Sequence, residues 1–156
     1  MSLCNLVEIT EENWKEVISL EVEETQANLV GPNVRSLAEA YVRPSSVTFA
    51  IQNQDLEPVG FMMYLTEDFD GKRHIHRFMI DRRHQKKGYG REALRLTVNQ
   101  IWEAEGYEDD IMIMFLTYNT YAEHVYTEFG FEDTGEIVVD EKLFRLPYSK
   151  RAQYRV

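Results

Sequence analysis

The sequence predicts a mixed α/β (α+β) fold, a central sheet of parallel and antiparallel strands with helices on both faces. Two observations carry this. The first is the stretch from Phe78 to Leu94, FMIDRRHQKKGYGREAL, where an apolar strand runs through a basic turn and two glycines into a helical pattern. The second is the order of patterns along the chain, β, α, α, β, β, β, α, β, α, β, β. Successive strands joined by short turns pair antiparallel, whereas a strand–helix–strand unit needs parallel neighbours and a right-handed crossover.

The elements follow from local signals. Asn5 to Ile9 reads as a first strand. Thr10 is placed to cap a helix over Glu11 to Leu20, with Glu11 and Glu12 favourable in its first turn. Trp14, Val17 and Ile18 give that helix an apolar stripe at helical spacing. Glu21 to Val30 is acidic and then apolar, and Gly31-Pro32-Asn33 breaks it. Ser36 is placed to cap a short helix, Leu37 to Tyr41, which Arg43-Pro44 ends. Val47 to Gln52 and Val59 to Thr66 are strand-like, joined by a turn that puts Pro58 at a strand start.

Arg73 to Asp81 forms the strand that delivers the chain to the glycine turn, and the helix beginning at Arg91 ends near Gly106. Ile111 to Leu116 is an unbroken apolar run, the pattern of a strand buried on both faces. A helix over Thr120 to Phe129 stops at Gly130, and Phe131 to Val139 pairs with Lys142 to Leu146 as a closing hairpin. No repeat, low-complexity segment or linker divides the chain, which reads as one domain over residues 1–156.

Apolar residues make up 44% and charged residues 28%, the balance of a globular protein. The net charge of −10 argues against a nucleic-acid partner, which requires a broad basic face. It suits a cationic ligand. The one cysteine, Cys4, excludes an internal disulfide framework and a cysteine-rich zinc site, and no His/Cys/Asp cluster has metal-ligand spacing. With no membrane-length apolar run and no secretory leader pattern, a cytoplasmic protein with no membrane partner is expected.

Against this acidic background, Arg82, Arg83, Lys86, Lys87 and Arg91 crowd the glycine turn. A strand, a glycine turn and a helix start aim free backbone N–H groups and a positive helix end at one point, which binds phosphate. A nucleotide P-loop does not fit, because Arg91-Glu92 follows Gly90 where that loop needs Lys and then Ser or Thr.

On these residues the chain resembles the Gcn5-related N-acetyltransferase (GNAT) superfamily. Gln85-Lys86-Lys87-Gly88-Tyr89-Gly90 matches its pyrophosphate pattern, Gln or Arg, two residues, Gly, one residue, Gly or Ala. Asn119, Ala122, Tyr126, Gly130 and Phe131 match a second pattern, Asn-x-x-Ala-x-x-x-Tyr-x-x-x-Gly-Phe. The RFMID and SLAEAY segments are most similar to bacterial spermine/spermidine acetyltransferases. The resemblance implies the GNAT-type acyl-CoA N-acyltransferase fold and direct acetyl transfer from acetyl coenzyme A to a primary amine, with a polyamine as the acceptor. Other acceptors in the same class are a peptide N-terminus or an aminoglycoside. A coenzyme A-binding regulatory domain without turnover is the alternative outside it. Many members of the superfamily dimerise, and the apolar C-terminal residues Leu143, Phe144, Leu146, Tyr148 and Tyr154 make a homodimer contact through that segment the expectation.

The resemblance also distributes roles. The amides of Lys86, Lys87, Gly88, Tyr89 and Gly90 cradle the pyrophosphate beside Gln85 and Arg91, with positive φ expected at both glycines. The edge of Phe78, Met79 and Ile80 takes the pantetheine arm where two parallel strands splay apart, and an amide near Met79 or Ile80 polarises the thioester carbonyl. Asn119 and Ala122 complete the cofactor wall. Tyr126 is the general acid that protonates the leaving coenzyme A thiolate, a task a phenol suits because it is protonated at neutral pH. His74 and His76 share the parity of Phe78 in the absence of a bulge, and titrate in the range a base needs. Glu21, Glu23 and Glu24 lie where the superfamily builds its acceptor site, with Glu21 and Glu24 as candidates for an ammonium group. Arg77, mid-strand, calls for a carboxylate partner that the sequence does not name.

Overall fold

The computed structural model describes residues 1–156. Seven strands form one sheet: β1 (Cys4–Val7), β2 (Ser46–Asn53), β3 (Pro58–Leu65), β4 (Arg73–Ile80), β5 (Ile111–Leu116), β6 (Glu132–Val138) and β7 (Glu141–Leu146). Their spatial order is β1-β2-β3-β4-β5-β7-β6. All neighbours are antiparallel except β4 and β5, which α3 (Tyr89–Glu103) connects. The other helices are α1 (Trp14–Ser19), α2 (Asn33–Val42) and α4 (Thr120–Phe129).

The helices cover both faces. On one, Ala93, Leu94, Val98 and Ile101 of α3 and Ala122 and Phe129 of α4 pack on Ile51, Met62, Ile75 and Ile113. On the other, Val17 of α1 and Leu37 and Ala40 of α2 lie over Ala50, Phe61, Met63 and Met79. Strand β3 is buried along its whole length, which explains why its sequence is continuously apolar. Pro58 opens it, as expected, beside a register shift in β2.

Several boundaries differ from the sequence reading, each for a local reason. Helix α1 starts at Trp14 because Glu11 to Asn13 form turns. Thr10 organises those turns: its Oγ1 accepts from the Glu12 amide, while its own amide donates to Asn13 Oδ1. Trp14 is largely exposed, so Val17 carries the buried stripe. Helix α2 starts three residues before the expected cap. Pro32 occupies the N-cap and Ser36 is buried inside the helix. Asn33 fixes this start, its side-chain nitrogen donating to Val17 O at 2.8 Å.

The C-terminal segment corrects another expectation. Strand β7 is inserted between β5 and β6, so Leu143, Phe144 and Leu146 are buried in the chain's own core. Residues Tyr148–Tyr154 then form a 3-10 helix that the sequence reading did not anticipate. Tyr154 donates to Phe129 O at 2.6 Å, and Asn99 of α3 donates to Tyr154 O, so the tail ties α4 to α3. Leu143, Phe144, Leu146 and Tyr154 are thus buried within one chain, and of the five residues expected at a contact only Tyr148 stays partly exposed.

Candidate active site

The parallel pairing of β4 and β5 covers only Arg73 with Ile111, His74 with Met112, and Ile75 with Ile113. Beyond Ile75 the strands part. The edge of β4 from His76 to Ile80 has no strand partner on that side, which creates the splay expected from the sequence. Between this edge, the start of α3 and the inner face of α4 lies a cleft of about 420 Å³.

Its first wall is the glycine turn. Asp81 caps the 3-10 turn Arg82–His84 by accepting from the Arg83 amide. Lys86 and Gly88 then adopt left-handed backbone, at φ 62 and 89. A lysine held there is strained, and such strain clusters at ligand-binding turns. The turn leaves the amides of Lys86, Lys87, Gly88, Tyr89, Gly90 and Arg91 with no acceptor on the backbone. An unpaired row of N–H groups at the positive end of a fifteen-residue helix is an anion cradle. Gly90 corrects the sequence reading, because it is helical and lacks positive φ. Its hydrogen faces Phe78 and Ile80, and an added Cβ would lie 3.6 Å from Phe78 Cζ.

The five cations divide. Arg83 is held by Asp81 at 2.8 Å and Arg82 faces Glu21 at 3.6 Å. Lys86, Lys87 and Arg91 have no carboxylate partner. Lys86 and Arg91 line the cleft, whereas Lys87 is not part of its lining. Gln85 turns inward, its amide nitrogen donating to Ile80 O and to Gln26 Oε1, each at 3.0 Å. That second bond ties the turn to the segment before α2, whose Val22, Leu29 and Val30 roof the cleft.

The opposite wall is α4. Asn119 is its N-cap, accepting from the Ala122 amide at 3.1 Å, and its side-chain nitrogen has no partner within the protein. Tyr126 packs between Phe115 and Phe131, each ring centroid at 5.7 Å. Its hydroxyl makes no hydrogen bond and is not among the sealed polar atoms, since only Ser46 Oγ is both buried and unpartnered. It therefore opens on the cleft. Burial among aromatic rings pushes its pKa upward, so the phenol stays protonated well beyond neutral pH.

The cleft thus brings together Phe78, Met79, Ile80, Gln85, Lys86, Gly88, Tyr89, Gly90, Arg91, Asn119, Ala122 and Tyr126. Sequence reasoning missed Gln26 and the roof residues, which follow no period. It also missed Tyr121, Val125 and Phe129, although their helical spacing in α4 signals a common face. Glu21 and Glu24 are exposed outside this lining. Glu21 faces Arg82, and Glu24 begins a 3-10 turn, Glu24–Gln26, with the neighbouring Glu23 also exposed.

The two strand histidines separate. A bulge falls where Met63 pairs with Arg77 and Tyr64 with Ile75, leaving His76 unmatched. It reverses the parity, so His74 does not share a face with Phe78. His74 is 1% exposed and lies 2.8 Å from Asp70 and 3.7 Å from Asp68, closed off from the cleft. His76 is half-buried, with Nε2 2.8 Å from Glu39 Oε1. Glu39 is also the carboxylate that Arg77 required, at 3.5 Å.

A splayed parallel pair, a free amide cradle and a tyrosine facing it define an acetyltransferase of the GNAT type. The acetyltransferase (GNAT) family model matches residues 8–131, and the chain belongs to that family. Among curated proteins it is similar to a spermine/spermidine N(1)-acetyltransferase of Bacillus subtilis (strain 168). The two are 29% identical over 144 residues, covering 85% of this chain and 90% of the relative. Among solved structures it is similar to spermidine N-acetyltransferase from Vibrio cholerae in complex with CoA and spermine. That TM-score is 0.76 at 16% identity, over 96% of this chain and 98% of the other. An acetyltransferase from Thermus thermophilus aligns with TM-score 0.74 at 19% identity, over 94% of this chain and 99% of the other. At these identities the structural likeness establishes the fold.

Proposed function

We propose that this acetyltransferase moves the acetyl group of acetyl coenzyme A to a primary amine of a polyamine such as spermidine or spermine. The observation that carries the cofactor part is the row of unpartnered amides from Lys86 to Arg91, facing the open edge of β4. A pyrophosphate satisfies those amides, with Lys86 and Arg91 beside it. The amide-bearing pantetheine arm satisfies the edge from Phe78 to Ile80. An amide near Met79 or Ile80 polarises the thioester carbonyl as the amine attacks, and Tyr126 gives its proton to the departing sulfur.

The polyamine rests on other grounds. The curated Bacillus subtilis relative is named for spermine and spermidine, the chain carries a net charge of −10, and the exposed glutamates 21, 23 and 24 lie on the same segment as Val22 and Gln26, which line the cleft. A thiol-release screen over polyamines, aminoglycosides, amino acids and short peptides tests it. Spermidine or spermine should give the highest kcat/KM, and the rate should fall with added salt as exposed charge attraction is screened. A neutral or anionic acceptor giving the best kcat/KM overturns the polyamine reading. Absence of thiol release with every amine favours a coenzyme A-binding regulatory role. In this reading the protein is a homodimer that pairs through a surface other than the buried C-terminal residues. Edge strand β6 with its exposed Ile137 and the adjacent Val139 is the open candidate. Light scattering distinguishes it from the 18.4 kDa of one chain.

A further inference from the structure

The reaction needs a group to take the proton that the attacking amine gives up, and Tyr126, held protonated, cannot serve. We propose that His76, oriented by Glu39, is the catalytic base of acetyl transfer; this rests on the amine-acetyltransferase reading above.

Three observations converge on this pair. First, position. The β4–β5 ladder ends at Ile75 and Ile113, and His76 is the next residue, displaced by the bulge at the point where the strands part. It thus stands at the closed end of the splay whose open edge accepts the cofactor arm. It faces α2, across the sheet from α3 and α4, so an amine reaching it approaches the splay from the side opposite the cofactor.

Second, tautomer. A carboxylate only accepts hydrogen bonds, so Glu39 Oε1 at 2.8 Å fixes the hydrogen of neutral His76 on Nε2. The lone pair is then on Nδ1. That atom has no partner, and it is not sealed, because Ser46 Oγ is the only buried side-chain polar atom without one. An oriented imidazole with a free, reachable lone pair is the arrangement of a general base.

Third, the electrostatic surroundings. On α2, Glu39 also meets Arg43 at 3.3 Å, and Arg43 reaches Asp68 of the loop before β4 at 2.9 Å. On β4, Arg77 donates to the His76 carbonyl at 2.9 Å and lies 3.5 Å from Glu39. Burial raises the pKa of Glu141 on β7, and the charge of Arg77 opposes that shift. Burial, with Arg77 adding to it, depresses the pKa of His76, and the bond to Glu39 opposes that shift. His76 is therefore held in its neutral form at pH 7. His74 shows what the alternative looks like: it faces Asp70 and Asp68 and is closed from the splay.

The step balances. The amine nitrogen bonds to the acetyl carbon and its proton passes to Nδ1 of His76. The C–S bond breaks and the sulfur takes the proton of Tyr126. His76 then releases its proton to solvent and Tyr126 regains one from solvent, so the net products are the acetylated amine and the coenzyme A thiol.

The test compares His76→Gln, Glu39→Gln and His76→Ala, using whichever amine the thiol-release screen shows to be the best acceptor. His76→Gln should lose about 10²-fold or more in kcat and the acidic limb of its pH profile, with coenzyme A affinity by calorimetry unchanged. Glu39→Gln removes the group that raises the His76 pKa, so the acidic limb should move to lower pH while kcat falls. Added imidazole should partly restore His76→Ala. If His76→Gln keeps wild-type kcat and its limb, or loses rate only in proportion to lost coenzyme A binding or thermal stability, the assignment is wrong. If the wild-type protein acetylates no amine, the functional reading fails and this assignment fails with it.

Discussion

The two motif glycines should respond to alanine in opposite directions, although they look equivalent in the sequence. Gly88 has φ 89, a region that costs an L-residue about 1–2 kcal/mol. A Cβ there would also lie 3.2 Å from Leu3 Cδ1, so the N-terminal strand must yield slightly. Gly90 is already helical, and a Cβ would meet Phe78 Cζ at 3.6 Å and Ile80 Cγ1 at 3.7 Å, ordinary contact distances. Replacing a helical glycine with alanine gains about 0.5–1 kcal/mol. For a chain of this size each kcal/mol moves Tm by roughly 2–4 °C. Gly88→Ala should therefore lower Tm by about 2–8 °C, while Gly90→Ala leaves it unchanged or raises it by a few degrees. Calorimetric unfolding of both apo variants reads this directly. Coenzyme A titration completes the comparison: Gly88→Ala should bind more weakly because the amides beside it are re-aimed, and Gly90→Val should lose binding through obstruction of backbone approach. Equal destabilisation by Gly88→Ala and Gly90→Ala would refute the conformational assignment, and unchanged coenzyme A affinity in folded Gly88→Ala and Gly90→Val would refute the cradle.

Tyr126→Phe keeps the ring between Phe115 and Phe131 and removes only the proton, so kcat should fall by about 10²–10⁴-fold at unchanged coenzyme A affinity; wild-type turnover would exclude the general-acid role. Deleting residues 142–156 should yield insoluble or unfolded protein, because it removes most of β7, the strand that joins β6 to the sheet, with the buried Phe144 and Leu146, and truncating one such phenylalanine alone costs about 3–5 kcal/mol. A soluble, cooperative truncation product by circular dichroism would contradict the sheet order. Glu92 pairs with Arg95 and accepts from Ser2, which hold its pKa down to about 2 from 4.5. Its folded pKa is depressed, so its stabilisation is present above pH 4.5 and is lost as pH falls toward 2. Glu92→Gln should therefore be less stable than wild type near pH 7, on the order of 1 kcal/mol, and the gap should close in acid. A gap independent of pH in denaturant titrations would show the ion pair contributes nothing.

What the sequence made legible was local. The strand from Ile111 to Leu116 and the helix from Thr120 to Phe129 coincide with β5 and α4 because an unbroken apolar run and an Asn-to-Gly frame leave each few alternatives. The same locality made the cofactor side of the site readable, since the turn from Gln85 to Arg91 builds its cradle from consecutive amides. The acceptor side was not readable in this way. The His76–Glu39 pair proposed to serve the acceptor joins α2 to β4, and its geometry depends on where one strand bulges. Period-2 reasoning puts His74 with Phe78, and a single unmatched residue at position 76 reverses that assignment.

That bulge links the fold to the chemistry. Without it, residues 76 to 80 would continue the alternation of Arg73 to Ile75. Here the chain reaches the gap with Phe78 and Ile80 turned toward α3 and α4, and with Met79 packed with α1 and α2 on the far face. The cofactor edge and the His76–Glu39 pair are thereby presented to opposite sides of one opening in the sheet. A thioester bound from one side and an amine arriving from the other meet without sharing an entrance, which suits direct transfer and requires no covalent acyl-enzyme. Insertion of a single residue opposite His76, between Met63 and Tyr64, would restore regular pairing and return His76 and Phe78 to a common face. Because β3 pairs with β2 without a break from Met62 to Leu65, the added residue must bulge toward β2 or turn Tyr64 and Leu65 to the opposite face, so the variant should fold with a lowered Tm, which is read before activity. It should lose acetyl transfer far more severely than it loses coenzyme A binding, since the turn from Gln85 to Arg91 lies beyond the strand's end. Equal loss of both in a folded protein would place the importance of the bulge in positioning the cofactor edge alone.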